Sequence, residues 1–251
     1  MSVKRAIVIA AGRGKRLGTH TEELPKCLVQ VGAHPILGWQ LAALARTGID
    51  RAVIVIGFGA ERVEAWLAAN PVPGLACETL FNPFYASSDN LISCWLARGA
   101  MTDDFLLLNG DTLFEDAVLA RVLDQSSAPI ALAVDRKQSY DDDDMKVSLD
   151  ASGRLLAIGK SMTPAMIGGE SIGLLSFRGS GPKLFTSALE EAVRRPAALR
   201  QWYLSVIHSI AQTSAVETAS VRGLWWREID SPSDLDGARA ECAAPPVRRV
   251  S

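Results

Sequence analysis

Residues 6–28 read A-I-V-I-A-A-G-R-G-K-R-L-G-T-H-T-E-E-L-P-K-C-L, and this stretch decides the fold. Its first five residues, Ala6 to Ala10, are apolar and predict a short buried strand of a parallel sheet. Glycines in the loop that follows allow backbone N–H groups to approach phosphate oxygens, and basic side chains neutralise phosphate charge. The loop carries three such cations, Arg13, Lys15 and Arg16. We therefore expect it to bind a triphosphate, with an ordinary polar turn as the alternative.

The same loop disfavours a dinucleotide-binding oxidoreductase. That class needs G-x-G-x-x-G opening directly into a helix, because its third glycine permits close packing of helix and strand. Here Leu17 occupies the third glycine position, and Pro25 interrupts a helix. A nicotinamide-dependent enzyme is therefore a distant alternative.

Strands and helices alternate through the first half of the chain. Apolar runs and helical periodicity predict strands at 52–56, 105–108 and 130–134, and helices at 35–46, 61–69, 90–97 and 115–123. This βαβα order predicts an α/β fold with a doubly wound, mostly parallel mixed sheet. Asn90 is expected to cap the helix that begins there.

Shorter segments follow residue 140 and predict a small antiparallel lobe on the substrate side. They are expected strands at 146–149, 155–158 and 171–177. Two helices at 182–194 and 202–212 and a strand at 216–221 come next. We predict one domain over 1–243, made of a nucleotide-binding part at 1–135, an acceptor-side lobe at 136–230 and a C-terminal helix at 231–243, with a frayed tail at 244–251.

Composition limits the partners and the compartment. The 251 residues carry 26 Lys and Arg against 28 Asp and Glu, so the net charge of -2 gives no bulk attraction to nucleic acid or membrane. No apolar run approaches the roughly 18 residues of a membrane span. The four cysteines have neither zinc-site nor disulfide-framework spacing. We expect a cytoplasmic protein, and a homodimer is compatible with this sequence.

Two groups of acids could hold a metal ion. Asp111 follows the predicted strand at 105–108, at the edge where α/β proteins bind ligands. Glu228 and Asp230 lie two residues apart, so an extended backbone places them on one side. Mg²⁺ needs few protein carboxylates when phosphates supply its other ligands. Turn formation at Asp111 and helix capping at Asp230 are the alternatives.

The acidic run at 141–144 is expected to be solvated and is left out of the site.

The loop and the acids resemble one known superfamily, the nucleotidyltransferases that include the sugar-1-phosphate enzymes. Its pattern A-A-G-x-G-x-R-L followed by P-K-x-L matches Gly12, Gly14, Arg16, Leu17, Pro25, Lys26 and Leu28. The resemblance implies a Rossmann-like nucleotidyltransferase fold and a triphosphate bound by Ala10, Ala11, Gly12, Gly14, Lys15, Arg16 and Lys26. It also implies Mg²⁺ bound by Asp111 and Asp230, with Glu228 as a helper.

A second stretch resembles one branch, the phosphocholine and 2-aminoethylphosphonate cytidylyltransferases. The pattern N-x-x-Y-x-x-x-x-N-x-x-S matches Asn82, Tyr85, Asn90 and Ser93. The resemblance favours CTP as the nucleotide and makes Asn90 and Ser93 candidates for base or ribose contacts. A helix cap at Asn90 and a buried neutral role for Ser93 are equally open.

The acceptor side of the site is less defined. Lys160, at the end of an expected strand, resembles the superfamily lysine that reaches the acceptor phosphate. Glu170, Trp202 and Tyr203 could surround an ammonium group, since carboxylates and aromatic faces attract cations, although helix packing also explains the two aromatics. Phosphocholine, 2-aminoethylphosphonate, inositol phosphate and a sugar-1-phosphate all remain open as acceptors.

The expected reaction needs no protein nucleophile. The acceptor oxygen is already ionised at neutral pH, so it attacks the α-phosphorus of the NTP and expels pyrophosphate without a strong general base. Arg16, Lys26 and Lys160 are the expected catalytic cations, because they stabilise the charged transition state. A nucleotide-sensing protein without turnover is the alternative from another class.

Overall fold

The computed structural model describes residues 3–243 of the chain. The tail predicted at 244–251 lies outside the described residues. The helices are α1 Ile36–Arg46, α2 Ala60–Ala69, α3 Asn90–Leu96, α4 Asp116–Gln125, α5 Gly181–Ala192, α6 Tyr203–Ala211 and α7 Pro232–Ala243. The strands are β1 Arg5–Ile9, β2 Gln30–Val31, β3 His34–Pro35, β4 Arg51–Ile56, β5 Ala76–Phe81, β6 Phe105–Asn109, β7 Thr112–Phe114, β8 Ile130–Asp135, β9 Lys146–Leu149, β10 Leu155–Gly159, β11 Gly169–Phe177, β12 Glu217–Ser220 and β13 Trp226–Glu228.

Four parallel strands form the centre of the main sheet, in the order β5-β4-β1-β6. Both faces of β1 are buried, with Ala6 and Val8 in the core on one face and Ile7 in the core on the other. A strand with two buried faces needs apolar side chains at every position, which explains the uninterrupted run at its centre. Because β1 lies between β4 and β6, the loop after it opens at the middle of the carboxyl edge.

Strand β11 joins the two halves of the chain. It pairs antiparallel with β6 and with β8, and the antiparallel pair β9–β10 continues from its first residues. The sheet therefore combines a parallel centre with antiparallel additions, and the predicted α/β fold class is confirmed. Residues 171–177 were expected in the substrate-side lobe, but the strand starts at Gly169 and lies inside the main sheet. All nine of its residues are buried, which fits this central place.

The lengths of the helices and the state of the cysteines can be compared with the sequence predictions. Within residues 3–243, the helices are too short or too polar to cross a bilayer. The four cysteines are all unpaired in this range, and Cys27 and Cys94 are buried. Burial raises the pKa of Cys27 to about 12 and that of Cys94 well above its ordinary value, so both thiols stay protonated at neutral pH.

Candidate active site

The carboxyl ends of β1 and β6 open into a cavity of about 230 Å³. Gly110 lets the two strand ends come close together, since a Cβ at this position would lie 2.6 Å from the carbonyl oxygen of Ile9. The next residue, Asp111, is thereby placed beside the loop that follows β1, and both line the cavity. Gly110 therefore acts on the site through the backbone.

Gly14 brings Lys26 to the cavity. The φ angle of Gly14 is 76°, in the left-handed region, and a Cβ there would lie 2.8 Å from the Cβ of Lys26. Glycine is thus needed both for the backbone conformation and for the close approach of the lysine stem. The loop motif and the later lysine form one packed unit, as their paired occurrence in the sequence suggested.

The ammonium group of Lys26 lies between two carboxylates. Its Nζ donates to Asp111 Oδ2 at 2.7 Å and to Asp230 Oδ1 at 2.5 Å. Burial lowers the pKa of Lys26, but the two carboxylates outweigh burial and raise it above its ordinary value. Lys26 is therefore a permanent cation at the floor of the site.

Three carboxylates converge around this lysine. Asp111, Glu228 and Asp230 place carboxylate oxygens within 4.8 Å of one another. The pairing of β13 with β7 brings the late segment here, and the N–H of Ile229 donates to the carbonyl oxygen of Asp111 at 3.0 Å. The late acids are thus fixed to the strand end that carries Asp111.

The surroundings of the three acids differ. Glu228 has an exposed surface, but the surrounding protein and the repulsion of Asp111 and Asp230 raise its pKa to about 8. Burial raises the pKa of Asp230, yet Lys26 and Arg16 outweigh burial and lower it below its ordinary value. Asp111 Oδ1 is buried and accepts no hydrogen bond from residues 3–243. An unsatisfied carboxylate oxygen beside two more acids fits a divalent cation, because such an ion would satisfy the oxygen and lower the repulsion.

A chain of ion pairs extends from these acids to Lys160. Arg16 Nη2 donates to Asp230 Oδ2 at 2.8 Å, and Arg16 Nη1 pairs with Asp143. Asp143 also accepts from Lys160 Nζ at 2.9 Å. The structure thereby brings together Arg16, Lys26 and Lys160, the three cations that the sequence predicted for catalysis.

The acidic run at 141–144 was expected to be solvated, and this is wrong for Asp144, which is half-buried, whereas Asp143 is exposed but also forms ion pairs. Asp143 bridges Arg16 and Lys160, and Asp144 pairs with Lys137 at 2.9 Å. Consecutive acids usually repel one another into solvent, but here basic side chains from elsewhere in the fold face them. Local sequence could not reveal these distant partners.

The remaining loop residues occupy different places. Ala10, Ala11 and Gly12 line the cavity, whereas Lys15 is exposed and lies outside the lining. Arg13 holds the loop instead of facing the cavity, since its guanidinium donates to the carbonyl oxygens of Thr21 and Glu22 at 3.2 Å. Of the basic side chains of the loop, Arg13 therefore supports the loop, Arg16 contacts the acidic group through Asp230, and Lys15 is exposed.

Asn90 and Ser93 line the cavity and also join parts of the fold. The expected cap at Asn90 is wrong, because α3 begins at Asn90 with Asp89 at the N-cap position. Asn90 Oδ1 instead accepts from the backbone N–H of Tyr203 at 2.9 Å. Ser93 is buried, and its Oγ accepts from Asn82 Nδ2 at 3.0 Å. Their contact with a nucleotide stays a prediction.

The three residues expected around an ammonium group do not meet. Trp202 is 40% exposed and lines the cavity, with the Nζ of Lys160 4.7 Å from its ring centre. Tyr203 is fully buried and donates its hydroxyl to Asn109 Oδ1 at 3.0 Å. Glu170 is buried away from the cavity lining and pairs with Lys137 at 2.7 Å. Of the three, Trp202 alone presents a surface to the cavity.

Asn109 and Asp143 are site residues that the sequence analysis did not select. Asn109 ends β6 and lines the cavity, one residue before Gly110. Its place at the end of an apolar strand is a signal that could have been used, since polar residues there face the ligand edge. Asp143 gave no usable signal, because its partners are distant in sequence.

A glycine-rich basic loop after the first strand, a lysine packed on that loop and acids at the neighbouring strand end together define an α/β domain of the nucleotidyltransferase class. The match to a family model agrees with this. The chain belongs to the family of the MobA-like NTP transferase domain, whose model matches residues 6–212. The resemblance predicted from the loop motifs is confirmed.

Relatives of known name extend this finding. The chain is 34% identical over 239 residues to CMP-5'-(3-aminopropyl)phosphonate synthase of Streptomyces rubellomurinus, covering 92% of this chain and 37% of that protein. It is 26% identical over 253 aligned positions to a bifunctional IPC transferase and DIPP synthase of Aquifex aeolicus, covering 99% of this chain and 54% of that protein. The chain thus spans about half or less of the length of these relatives.

A solved structure shows the same fold. The inositol-1-phosphate CTP transferase from T. maritima superposes with a TM-score of 0.79, covering 98% of this chain and 99% of that chain. The two sequences are 21% identical, so this likeness supports the fold alone.

Proposed function

We propose that this chain transfers the CMP group of CTP to a small acceptor that carries a phosphate or phosphonate group, with release of pyrophosphate. One observation carries the proposal. Lys26 and Asp111 line the cavity on the carboxyl edge of the sheet, Glu228 and Asp230 lie beside Asp111, and ion pairs connect this group to Arg16 and, through Asp143, to Lys160. Such a set of cations and acids suits a triphosphate with a divalent cation, and membership of the NTP transferase family supports the same class of reaction.

The choice of CTP rests on the relatives. A CMP conjugate stands in the name of the Streptomyces protein, and CTP stands in the name of the T. maritima protein. Asn90 and Ser93 line the cavity and are the residues we assign to the base or ribose. Each side chain already forms one hydrogen bond within the protein. We therefore expect the nucleotide to contact the remaining donors and acceptors of the Asn90 amide and the Ser93 hydroxyl.

For the acceptor, we favour an amine-bearing phosphonate or a phosphocholine-like compound. The relative with 34% identity is named for an aminopropylphosphonate product. Trp202 supports this choice, because its ring lines the cavity and already attracts one ammonium group, that of Lys160 at 4.7 Å. An inositol phosphate is the second candidate, since the superposed T. maritima protein is named for that acceptor.

In the proposed reaction, an anionic oxygen of the acceptor attacks the α-phosphorus in line. A new P–O bond forms between the acceptor oxygen and the α-phosphorus. The bond between the α-phosphorus and the oxygen that bridges it to the β-phosphate breaks, and pyrophosphate leaves with the electron pair. Lys26 and Nη2 of Arg16, which faces Asp230, hold the triphosphate and offset the charge that develops on its oxygens, while Lys160 and Nη1 of Arg16, which faces Asp143, orient the acceptor anion. No side chain forms a covalent intermediate, and no general base is required.

We assign Mg²⁺ to Asp111 and Asp230, with Glu228 as a further ligand. When bound, the ion supplies charge neutralisation and Lewis acidity at the phosphate oxygens. Lys26 now donates to both aspartates, so the lysine and a divalent cation compete for the same acids. A triphosphate offers Lys26 a new partner, and we expect nucleotide and metal to bind cooperatively for this reason.

The test is pyrophosphate release with Mg²⁺ and each of the four NTPs, against phosphocholine, 2-aminoethylphosphonate, inositol 1-phosphate and glucose 1-phosphate. We expect release with CTP and an amine-bearing acceptor, and its loss when EDTA removes the metal. Lys26→Ala should lower kcat/KM by about a hundredfold or more, because it removes a cation at the reacting phosphate. Lys183→Ala on the exposed face of α5 is the matched control and should keep the wild-type rate.

Each negative result has a distinct meaning. Release with another NTP and a sugar phosphate keeps the class of enzyme and overturns the substrates. Nucleotide binding without release for any pair indicates a nucleotide-sensing protein. Full activity of the Lys26→Ala variant overturns the assigned mechanism.

A further inference from the structure

The carboxylate of Asp143 bridges the two cations at the acceptor side of the site. One oxygen accepts from Lys160 Nζ at 2.9 Å, and the other pairs with Arg16 Nη1. These cations come from separate elements, the end of β10 and the loop after β1. Guanidinium and ammonium groups bind carboxylates and phosphate oxygens with the same chemistry. Asp143 therefore occupies a place that an anionic group of a ligand would suit.

The turn that presents Asp143 is built by specific contacts. Asp141 Oδ1 accepts from the backbone N–H groups of Asp143 and Asp144 at 2.8 and 3.0 Å. Lys146 joins this turn to the end of β10, since its Nζ donates to the carbonyl oxygens of Asp141 and Lys160. The turn and Lys160 are thus tied to each other, and Asp143 is held opposite the two cations.

The bridge is well placed but weakly held. The side chains of Arg16 and Asp143 are 53% and 57% exposed, and exposed ion pairs contribute little to stability because water and salt screen them. The hydrogen bond from Lys160 and the charge of Arg16 lower the pKa of Asp143, so it carries its negative charge at neutral pH. A more highly charged anion can therefore displace it without disrupting the fold.

We propose that Asp143 is an internal competitor for the anionic group of the acceptor and lowers the affinity of the site for it. The identity of the acceptor rests on the function proposed above. A phosphonate or phosphate dianion displaces the single carboxylate from Arg16 and Lys160, because it offers both cations more charge. A monoanion displaces the same carboxylate but gains less from the two cations, so it binds more weakly.

The test is calorimetric titration of 2-aminoethylphosphonate at pH 8 and low salt, without nucleotide, into three proteins. These are the wild type, Asp143→Asn and the matched control Asp142→Asn. Asp142 lies on the same turn, is exposed and forms no ion pair within residues 3–243. We expect Asp143→Asn to bind about three- to fivefold more tightly than the wild type, the range of an exposed ion pair, and Asp142→Asn to bind within about twofold.

A second probe separates competition from direct repulsion. The monomethyl ester of the same phosphonate carries one negative charge fewer and should bind more weakly, but its affinity should increase by the same factor as that of the dianion when Asp143 is replaced, because both ligands displace the same carboxylate. Unequal gains would mean that Asp143 acts on the bound ligand and would overturn the competition.

Three further results would overturn the competition. They are equal affinity of the wild type and Asp143→Asn, weaker binding to Asp143→Asn, and no binding to Asp143→Asn. Weaker binding would mean that the carboxylate contacts the amine of the ligand. Failure of the proposed function would appear separately, as absence of pyrophosphate release by the wild type with every nucleotide and acceptor.

Discussion

Glu170 lies at the start of β11, and its ion pair with Lys137 does not fully offset the cost of burying its charge. Its carboxylate pairs with Lys137 at 2.7 Å, while its Oε1 is buried without a hydrogen bond from residues 3–243. Burial outweighs Lys137 and raises the pKa of Glu170 from 4.5 to about 7. An acid whose pKa is raised by folding stabilises the folded state only while it is protonated.

This predicts a pH-dependent stability. Between pH 4.5 and about 7 the folded chain binds more protons at Glu170 than the unfolded chain, so the free energy of unfolding falls as pH rises. In Glu170→Gln this contribution, on the order of 3 kcal/mol over that interval, should disappear. Urea unfolding of both proteins across the interval measures the difference. Glu191→Gln, at an exposed site on α5, is the control, and a wild-type slope in Glu170→Gln would contradict the prediction.

Single residues differed in how well the sequence revealed them. Lys26 and Asp111 were predicted because each follows a local pattern, the glycine loop and the strand end, and the structure places both at the cavity. Asp143 was rejected, since its role depends on Arg16 and Lys160, which reach it only through the fold. Charge partners that are distant in sequence have no local signature.

Among the elements, the long ones were predicted and several short ones were not. The expected helices and strands with strong apolar periodicity lie within a few residues of the observed bounds. The pattern did not reveal β5, which lies at the sheet edge with mostly exposed residues and therefore lacks an apolar run. It also missed β7 and β13, three residues each, whose pairing carries Glu228 to Asp111. Strands this short have too few positions for periodicity to show.

The contact between the ends of β1 and β6 predicts the effect of a small substitution. Gly110→Ala would place a Cβ 2.6 Å from the carbonyl oxygen of Ile9, so the strand ends must separate. We expect a loss of about 1–3 kcal/mol in the free energy of unfolding, together with a larger loss of kcat as Asp111 moves. Gly99→Ala is the matched control, because no atom lies within 4 Å of its Cβ position. Equal stability and activity of the two variants would show that the close approach is unimportant.

At the scale of the whole molecule, the continuous sheet predicts a single unfolding transition. Strand β11 lies between β6 and β8, and core side chains pack on both faces of the sheet across the boundary between the predicted nucleotide-binding and acceptor-side parts. We expect differential scanning calorimetry to give one transition, with equal calorimetric and van't Hoff enthalpies. Two resolved transitions would mean that the parts unfold independently.

The overall fold class was accessible from the sequence because a doubly wound sheet leaves a repeated trace of apolar strands and amphipathic helices. The central place of β11 was not accessible, since periodicity shows that a strand is buried but not which strands lie beside it. Its nine buried residues are compatible with either a lobe or the main sheet until the pairing is known.

The insertion of β11 also bears on how the chain is made. While a ribosome is still adding the residues before 169, β6 has no partner on its β11 side, and the backbone groups of an apolar strand are open to pairing with other chains. This side of β6 stays unpaired until residue 177 has left the exit tunnel, and β12 joins the sheet later still. The first 168 residues are therefore the part of the nascent chain most in need of protection by a chaperone.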